Sequence, residues 1–522
     1  MLLLAGAARG AVGEDNALNG MTASQTNPCA TSAGLVAVGT AQWNGWGRDL
    51  DNARYQPEPA IRASDAPRLA LKWAFGPGGS AGFGQPAIVD GLLFVASSAG
   101  RVYSLDSRSG CTYWTYDAAA KIRTGVSIGE LAQPQKAPRP KRSKRKLAHL
   151  DVLKAPSAAF FGDDSATVYA LDAQKGTLLW RTQIDTHPLA RIAGTPIVYR
   201  DRLYVAVSSD EQSKISDLNY GCCTFRGSVV ALDILNGHVL WKTYTVTEEP
   251  RPSRTNSAGV QQFGPAGAPI SASPTIDGKR EALYVGTGNS YSSDSSPMAD
   301  AIVALDLTDG RVRWVKQLPV QDAAATGAFD GPPIFRTLAT GKQILLAAQE
   351  SGFVYALDPD RAGEILWQTK TSDAGAGGGV RSGAAADHRN LYAAVSTLLS
   401  SPETSAGGLT ALDIRTGARR WRTPAPLPAC AWTDHACSHA QSQAVTVMPG
   451  IAFLGAMDGH LRAYSAIDGK VVWDFDTAKD FETVNHVKAR GGSLDYGGAA
   501  IVNGILYVNS GNVLLALSVN GK

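Results

Sequence analysis

The chain has 522 residues, with 49 basic and 46 acidic side chains and a formal net charge of +3. A balance this close to neutral gives no broad basic surface for nucleic acid, and no stretch is long and apolar enough to span a bilayer. The 55 glycines and 27 prolines fall between short runs of Val, Ile, Leu, Phe and Tyr, which predicts many short strands joined by tight turns.

The first residues, MLLLAGAARGAVGEDN, hold an apolar run with no basic region ahead of it, compatible with the remnant of an export signal. Residues 1–42 are read as an N-terminal arm, polar and small from residue 14 onward. It ends at WNGWGRDLDNARY, Trp43 to Tyr55, whose aromatic content predicts packing on the outside of the domain that follows.

From there one unit recurs. VYALDAQKGTLLW, Val168 to Trp180, has clear copies ending at Trp241, Trp314, Trp367 and Trp421, and looser ones ending at Trp114 and Trp473. An eighth is divided: LLALSVNGK, Leu514 to Lys522, has no Trp, and the missing Trp is in LALKWAF around Trp73. A unit shared between the two ends is what a closed ring needs. Each repeat supplies four strand-like runs, for example AVTVM, IAFLGA, LRAYSA and KVVWDF. The expected fold is all-β: one eight-bladed β-propeller over residues 43–522, with four antiparallel strands per blade and the last blade closed by the N-terminal strand.

The repeat also orients the ring. Turns between first and second strands (Pro449-Gly450, Asn503-Gly504) and the Asp-x-x-x-Gly turns before each Trp share a lower face. The irregular connections lie on the upper face, where function is expected. The basic insertion at 131–150, with Lys136, Arg139, Lys141, Arg142, Lys144, Arg145 and Lys146, falls between first and second strands, hence on the lower face. It carries no interleaved aromatics to stack on bases, so a solvated loop is expected and nucleic acid is not.

The six cysteines favour an oxidising compartment, secreted or periplasmic. Cys430 and Cys437 share one connection, Cys29 and Cys111 are left to tie the arm to the first full blade, and the adjacent Cys222 and Cys223 either bond to each other or stay as thiols. Among the upper connections Glu211, Asn289 and Asp330 come from three consecutive blades, and their oxygens would suit calcium. No CxxCH occurs, so the chain carries no c-type haem of its own.

The Ala-Leu-Asp-x-x-x-Gly-x-x-Trp repeat, GCCTFRGSVVALD at Gly221 to Asp233, GTGNSY at Gly286 to Tyr291, and AMDGHLRAYSAIDGKVVWDFDTAKDFETVN at Ala456 to Asn485 resemble the pyrroloquinoline-quinone dehydrogenases, in particular the polyvinyl-alcohol-dehydrogenase-like branch. The resemblance covers residues 43–522. It implies a quinone held above the channel between an adjacent-cysteine disulfide and a Trp floor, a calcium ion polarising the quinone, and an Asp taking the alcohol proton. On that resemblance Cys222 and Cys223 are the lid, Glu211 and Asn289 metal ligands, and Asp330 the base. Arg123, Thr124, Thr195 and Asn485 resemble cofactor contacts. The chain departs from the branch at three places: Ser271 stands in PISASPTID where a Trp floor is expected, Glu350 in AQESG where a Lys is expected, and Ser382 in GGGVRSGAA where a second Trp is expected. Arg381 adds a cation beside the last, and Glu350 is a candidate to join the metal or the catalytic group. Two functions follow. One is a quinoprotein dehydrogenase that oxidises a small or polymeric alcohol and passes electrons to a separate acceptor. The other is a quinone-free propeller, either a cofactor-independent enzyme acting on a bulky apolar or aromatic substrate or a ligand-binding protein.

Overall fold

In the computed structural model, residues 27–34, 42–78, 82, 84–131, 156–293, 296–318, 327–371, 378–381, 383–397, 407–426, 440–495 and 497–522 are described. The Cys430–Cys437 pairing, Ser382, the export-signal segment and all but Leu131 of the 131–150 insertion lie outside them.

Among the described residues the strands form eight antiparallel blades, each of four strands or, in two blades, with the first strand split in two, and two further two-stranded hairpins. The reason lies in the repeat itself. The third strand of six blades ends in Ala-Leu-Asp or Ser-Leu-Asp, with Ser465 and Ser518 in the Asp position of the other two, and the Asp caps the following turn: Asp172 Oδ1 accepts from the backbone of Gln174 and Lys175. That turn ends on a glycine in the left-handed region, and the Trp ring of the preceding blade packs against it. At Gly237 (φ +71°) an added Cβ would stand 2.4 Å from the Trp180 ring, so both backbone and neighbour demand glycine. The same indole donates to the Ile234 carbonyl at 3.0 Å, and Trp114, Trp367 and Trp421 bond their next blades in the same way. Each Trp therefore fastens one blade to the next.

The ring closes as the divided repeat predicts. Leu69–Phe75 pairs antiparallel with Val513–Val519, from Leu69 opposite Val519 to Phe75 opposite Leu514, with a register shift between Leu71 and Trp73. Trp473, on the fourth strand of the preceding blade, donates to the Leu69 carbonyl at 3.1 Å. The Cys29–Cys111 disulfide ties the arm to the first full blade.

Trp43 to Gln56 corrects the expectation of outside packing. First strands such as Ala87–Val89 are fully buried while fourth strands such as Leu178–Gln183 are largely exposed, so the first strands line the axis. The segment runs along their free edges as a hub strap. Trp43 exchanges two backbone bonds with Ile88, and the Asn44 side chain does the same with Ile128. Leu50 packs on the cluster containing Ile197, its carbonyl accepts from Ile276, and Asp51 and Ala53 accept from Phe335 and Ala386. Arg54 accepts from Val447, and the Gln56 side chain donates to Ile501. All eight blades are touched, in order. Arg54 explains why the strap lies inside: it is fully buried, and its guanidinium donates to the Val445, Trp46 and Ala499 carbonyls, Gln85 Oε1 and Thr446 Oγ1, oxygens that meet only at the hub.

Candidate active site

Antiparallel blades place the links between second and third strands, and between successive blades, at one end of the ring. Glu211 and Asn289 follow second strands (Arg202–Ser209 and Ala282–Gly286), as does Glu350 (after Gln343–Ala348). Arg123, Thr124, Thr195, Ser271, Asp330, Arg381 and Asn485 all lie in links leading to first strands. Every expected site residue is thus at the upper end.

The mouth is built around Asp330. Its carboxyl shares a hydrogen bond with Glu350, and burial, together with the charge and hydrogen bond of Glu350, raises its pKa well above the ordinary range, against opposing Arg381 and Arg191. Arg381 Nε stands 3.3 Å from Glu350 Oε1, so Glu350 is not the uncompensated anion that its place in the sequence suggests. Asp300, which the sequence reading passed over as one Asp in a polar loop, is held up to about 6 by burial and by the Glu350 charge. Arg191, also passed over, bonds Asp210 at 2.6 Å while facing Asp330. Three carboxyl groups and two guanidinium groups therefore share the mouth, and Asp330 and Glu350 share a hydrogen bond between like groups.

Cys222 and Cys223 are joined to each other, and both are buried. The hairpin Arg251–Thr255/Gln261–Gly264 covers them: Phe263 N donates to the Cys222 carbonyl at 2.7 Å, and Cys223 N to the Phe263 carbonyl at 3.3 Å. Glu211 holds the far side of this turn. Its fully buried carboxylate accepts from Thr224 N (2.9 Å), Phe225 N (2.9 Å) and the Tyr220 hydroxyl (2.9 Å), with a second, longer contact from Thr224 N and with His187 Nε2 3.6 Å away. Burial pushes its pKa up, but the bonds from His187, Thr224, Phe225 and Tyr220 outweigh burial and hold it below the usual value. A carboxylate has about four lone-pair sites, and here they are taken. Tyr220 and His187 were not legible as partners, because their roles depend on where the loop returns.

The remaining expected contacts serve the backbone. Thr124 Oγ1 bonds the Gly162 carbonyl and amide, Thr195 Oγ1 accepts from Gly125 N, and both polar atoms of Asn485 bond Gly76. Arg123 is half-exposed and pairs with Asp164 at 3.1 Å. Ser271 Oγ lies 3.0 Å from Ser208 Oγ.

These residues fit a planar anionic group better than they fit a calcium ion. Arg381 and Arg191 supply cations for such a group, whereas Asn289 Oδ1, an acceptor buried without a hydrogen-bond partner among the described residues, is the one expected ligand oxygen open to a donor or a cation. Glu211 has no free oxygen site, and among the described residues no three His, Cys, Asp or Glu side chains converge as a metal would require. A cavity of about 780 Å³ lies elsewhere, against the lower turns Asp90-Gly91 and the loop at Asn503, away from this chemistry.

The sequence model described as the glucose/ethanol/alcohol dehydrogenase β-propeller domain matches residues 43–383, and that of the outer membrane protein assembly factor BamB matches 350–519. A polyvinylalcohol dehydrogenase of a Pseudomonas species is 42% identical over 92% of this chain and 77% of its own; one from Sphingopyxis is 38% identical over 95% and 79%. The crystal structure of quinohemoprotein alcohol dehydrogenase from Comamonas testosteroni shares the fold, with a TM-score of 0.67 at 17% identity over 92% of this chain and 81% of that one. With an eight-bladed ring, a joined pair of adjacent cysteines and a carboxyl pair at the mouth, the chain belongs to the superfamily of pyrroloquinoline-quinone-dependent alcohol dehydrogenases.

Proposed function

We propose that the protein oxidises a primary or secondary alcohol, small or polymeric, by hydride transfer to bound pyrroloquinoline quinone, as an exported enzyme of the polyvinyl-alcohol type that hands its electrons to a separate acceptor. The observation that carries this reading is the Asp330–Glu350 pair beside Arg381. The Cys29–Cys111 disulfide supports export.

When bound, pyrroloquinoline quinone supplies the hydride acceptor. Arg381 and Arg191 would face its carboxylates, and the Cys222–Cys223 turn, held by Glu211 and Phe263, would cover it. Asp330 takes the alcohol proton. Because burial and Glu350 make Asp330 a stronger base than an exposed Asp, its basicity lies closer to what removal of a hydroxyl proton needs. The proton then rests within the carboxyl pair, where Glu350 keeps a hydrogen bond to it and Arg381 steadies the remaining charge. No step passes through calcium, since Glu211 is committed to its turn.

Adding pyrroloquinoline quinone to the purified protein should give stoichiometric uptake and alcohol-dependent reduction of an artificial dye. No uptake by folded protein would move the function to the quinone-free reading, which the carboxyl pair also serves as an acid and base acting without a cofactor.

A further inference from the structure

We infer that Trp46, carried by the hub strap, is the stacking floor of the planar ligand site in place of the indole absent at Ser271, and that Arg54 beneath it selects an anionic ring. The inference rests on the quinone reading above. The strap backbone runs along the first strands, yet the Trp46 ring stands against the links above them. A Cβ on Gly383 would lie 3.6 Å from Trp46 Cζ2 and 3.8 Å from Pro332. Gly383 is two residues from Arg381, and Pro332 two from Asp330, so the ring stands against the same links that carry Asp330 and Arg381.

Two further observations point to a ligand there. The buried indole N–H of Trp46 has no hydrogen-bond partner among the described residues, although buried indoles normally find one. The Arg54 guanidinium lies over the Trp46 ring, 4.9 Å from its centroid, while also donating to the Trp46 carbonyl at 2.6 Å. One face of the indole is thus backed by a cation and the other is left to a ligand. Among the described residues no carboxylate bonds to Arg54, so its charge acts on whatever stacks above, and in a water-poor channel it favours a polycarboxylate over a neutral ring. Ser271, occupied with Ser208, offers no competing surface.

The test is the dissociation constant for pyrroloquinoline quinone, measured by equilibrium dialysis on the full chain without alcohol. Trp46→Leu keeps an apolar plug of similar reach and should weaken binding roughly tenfold or more, and Trp46→Phe less. Ser271→Trp should restore binding in the Trp46→Leu background while adding little to the native protein. Should Trp46→Leu fail to fold, Trp46→Phe carries the test through fluorescence: quinone should quench a smaller share of its Trp emission than in the native protein. Native uptake with unchanged affinity in Trp46→Leu, or with unchanged quenching in Trp46→Phe, overturns the inference and leaves the quinone reading standing. Absence of uptake by the native protein overturns both.

Discussion

In the hub, Arg54 carries a charge that it keeps at neutral pH even though burial pushes its pKa down to about 9, and the fold answers with five oxygen acceptors and two indoles. At the mouth, Asp330, Glu350 and Asp300 crowd together with fewer cations than their number calls for, and the pKa values of Asp330 and Asp300 are raised in response. A guanidinium cannot be neutralised cheaply, so its site must be built complete, whereas a carboxyl group can take up a proton and so remain responsive. The strap is therefore the fixed end of the axis and the mouth the chemically adjustable one.

The comparison breaks most sharply at Arg54. Arg54→Met removes five hydrogen bonds to a buried cation, although Gln85 Oε1 keeps Gly498 N and the Ala499 carbonyl keeps Thr446 Oγ1, and should cost about 3–5 kcal/mol in denaturant unfolding, or prevent folding; a loss below about 1 kcal/mol would show that the strap does not hold the hub. At the mouth Asp330→Asn should lower turnover by about a hundredfold to ten-thousandfold while quinone uptake and melting temperature hold, which separates chemistry from architecture. Glu211 behaves like the hub although it lies at the upper end: Glu211→Gln should cost about 1.5–3 kcal/mol from lost bonds to a charged group. Chelators should leave the melting temperature of the native protein unchanged, and a drop on chelation would return Glu211 to metal binding. The smallest effect is expected at Asp300. Its folded pKa, about 6, lies above the unfolded value, so the folded state binds the extra proton and stability falls as pH rises from about 4 through 6. Asp300→Asn removes that loss and should be more stable than the native protein above pH 6, by on the order of 1–2 kcal/mol after allowing for partial exposure. At pH 4 the two should melt alike.

The ring was legible because its rule is local: an Asp, a glycine and a Trp at fixed spacing, repeated, specify both the turn and its contact with the next blade. The site was legible only in part. Cys222 and Cys223 announce themselves by adjacency, and Asp330 and Glu350 were marked by resemblance and departure. Thr124, Thr195 and Asn485 stand at the right end of the ring, but their polar atoms point to backbone groups, an orientation that no sequence pattern encodes. The strap was misplaced for a related reason. Its residues have no periodicity, and the partners of Arg54 at Val445, Thr446 and Ala499 are some 390 to 445 positions away. Asp300 could have been flagged as the carboxyl immediately before the third strand of its blade, yet only the approach of Glu350 from the next blade gives it an altered pKa.

The seam between Leu69–Phe75 and Val513–Val519 has a consequence for how the molecule is made. A strand laid down early waits for a partner that leaves the ribosome about 440 residues later, some tens of seconds at ordinary elongation rates. Throughout that interval the strap has edges to bind only on the blades already finished, and Arg54 has neither Val445 nor Ala499 to receive its protons. Early blades can form as they emerge, but the nascent chain remains an open arc with an unpaired edge at each end. The ring is completed in a single late event.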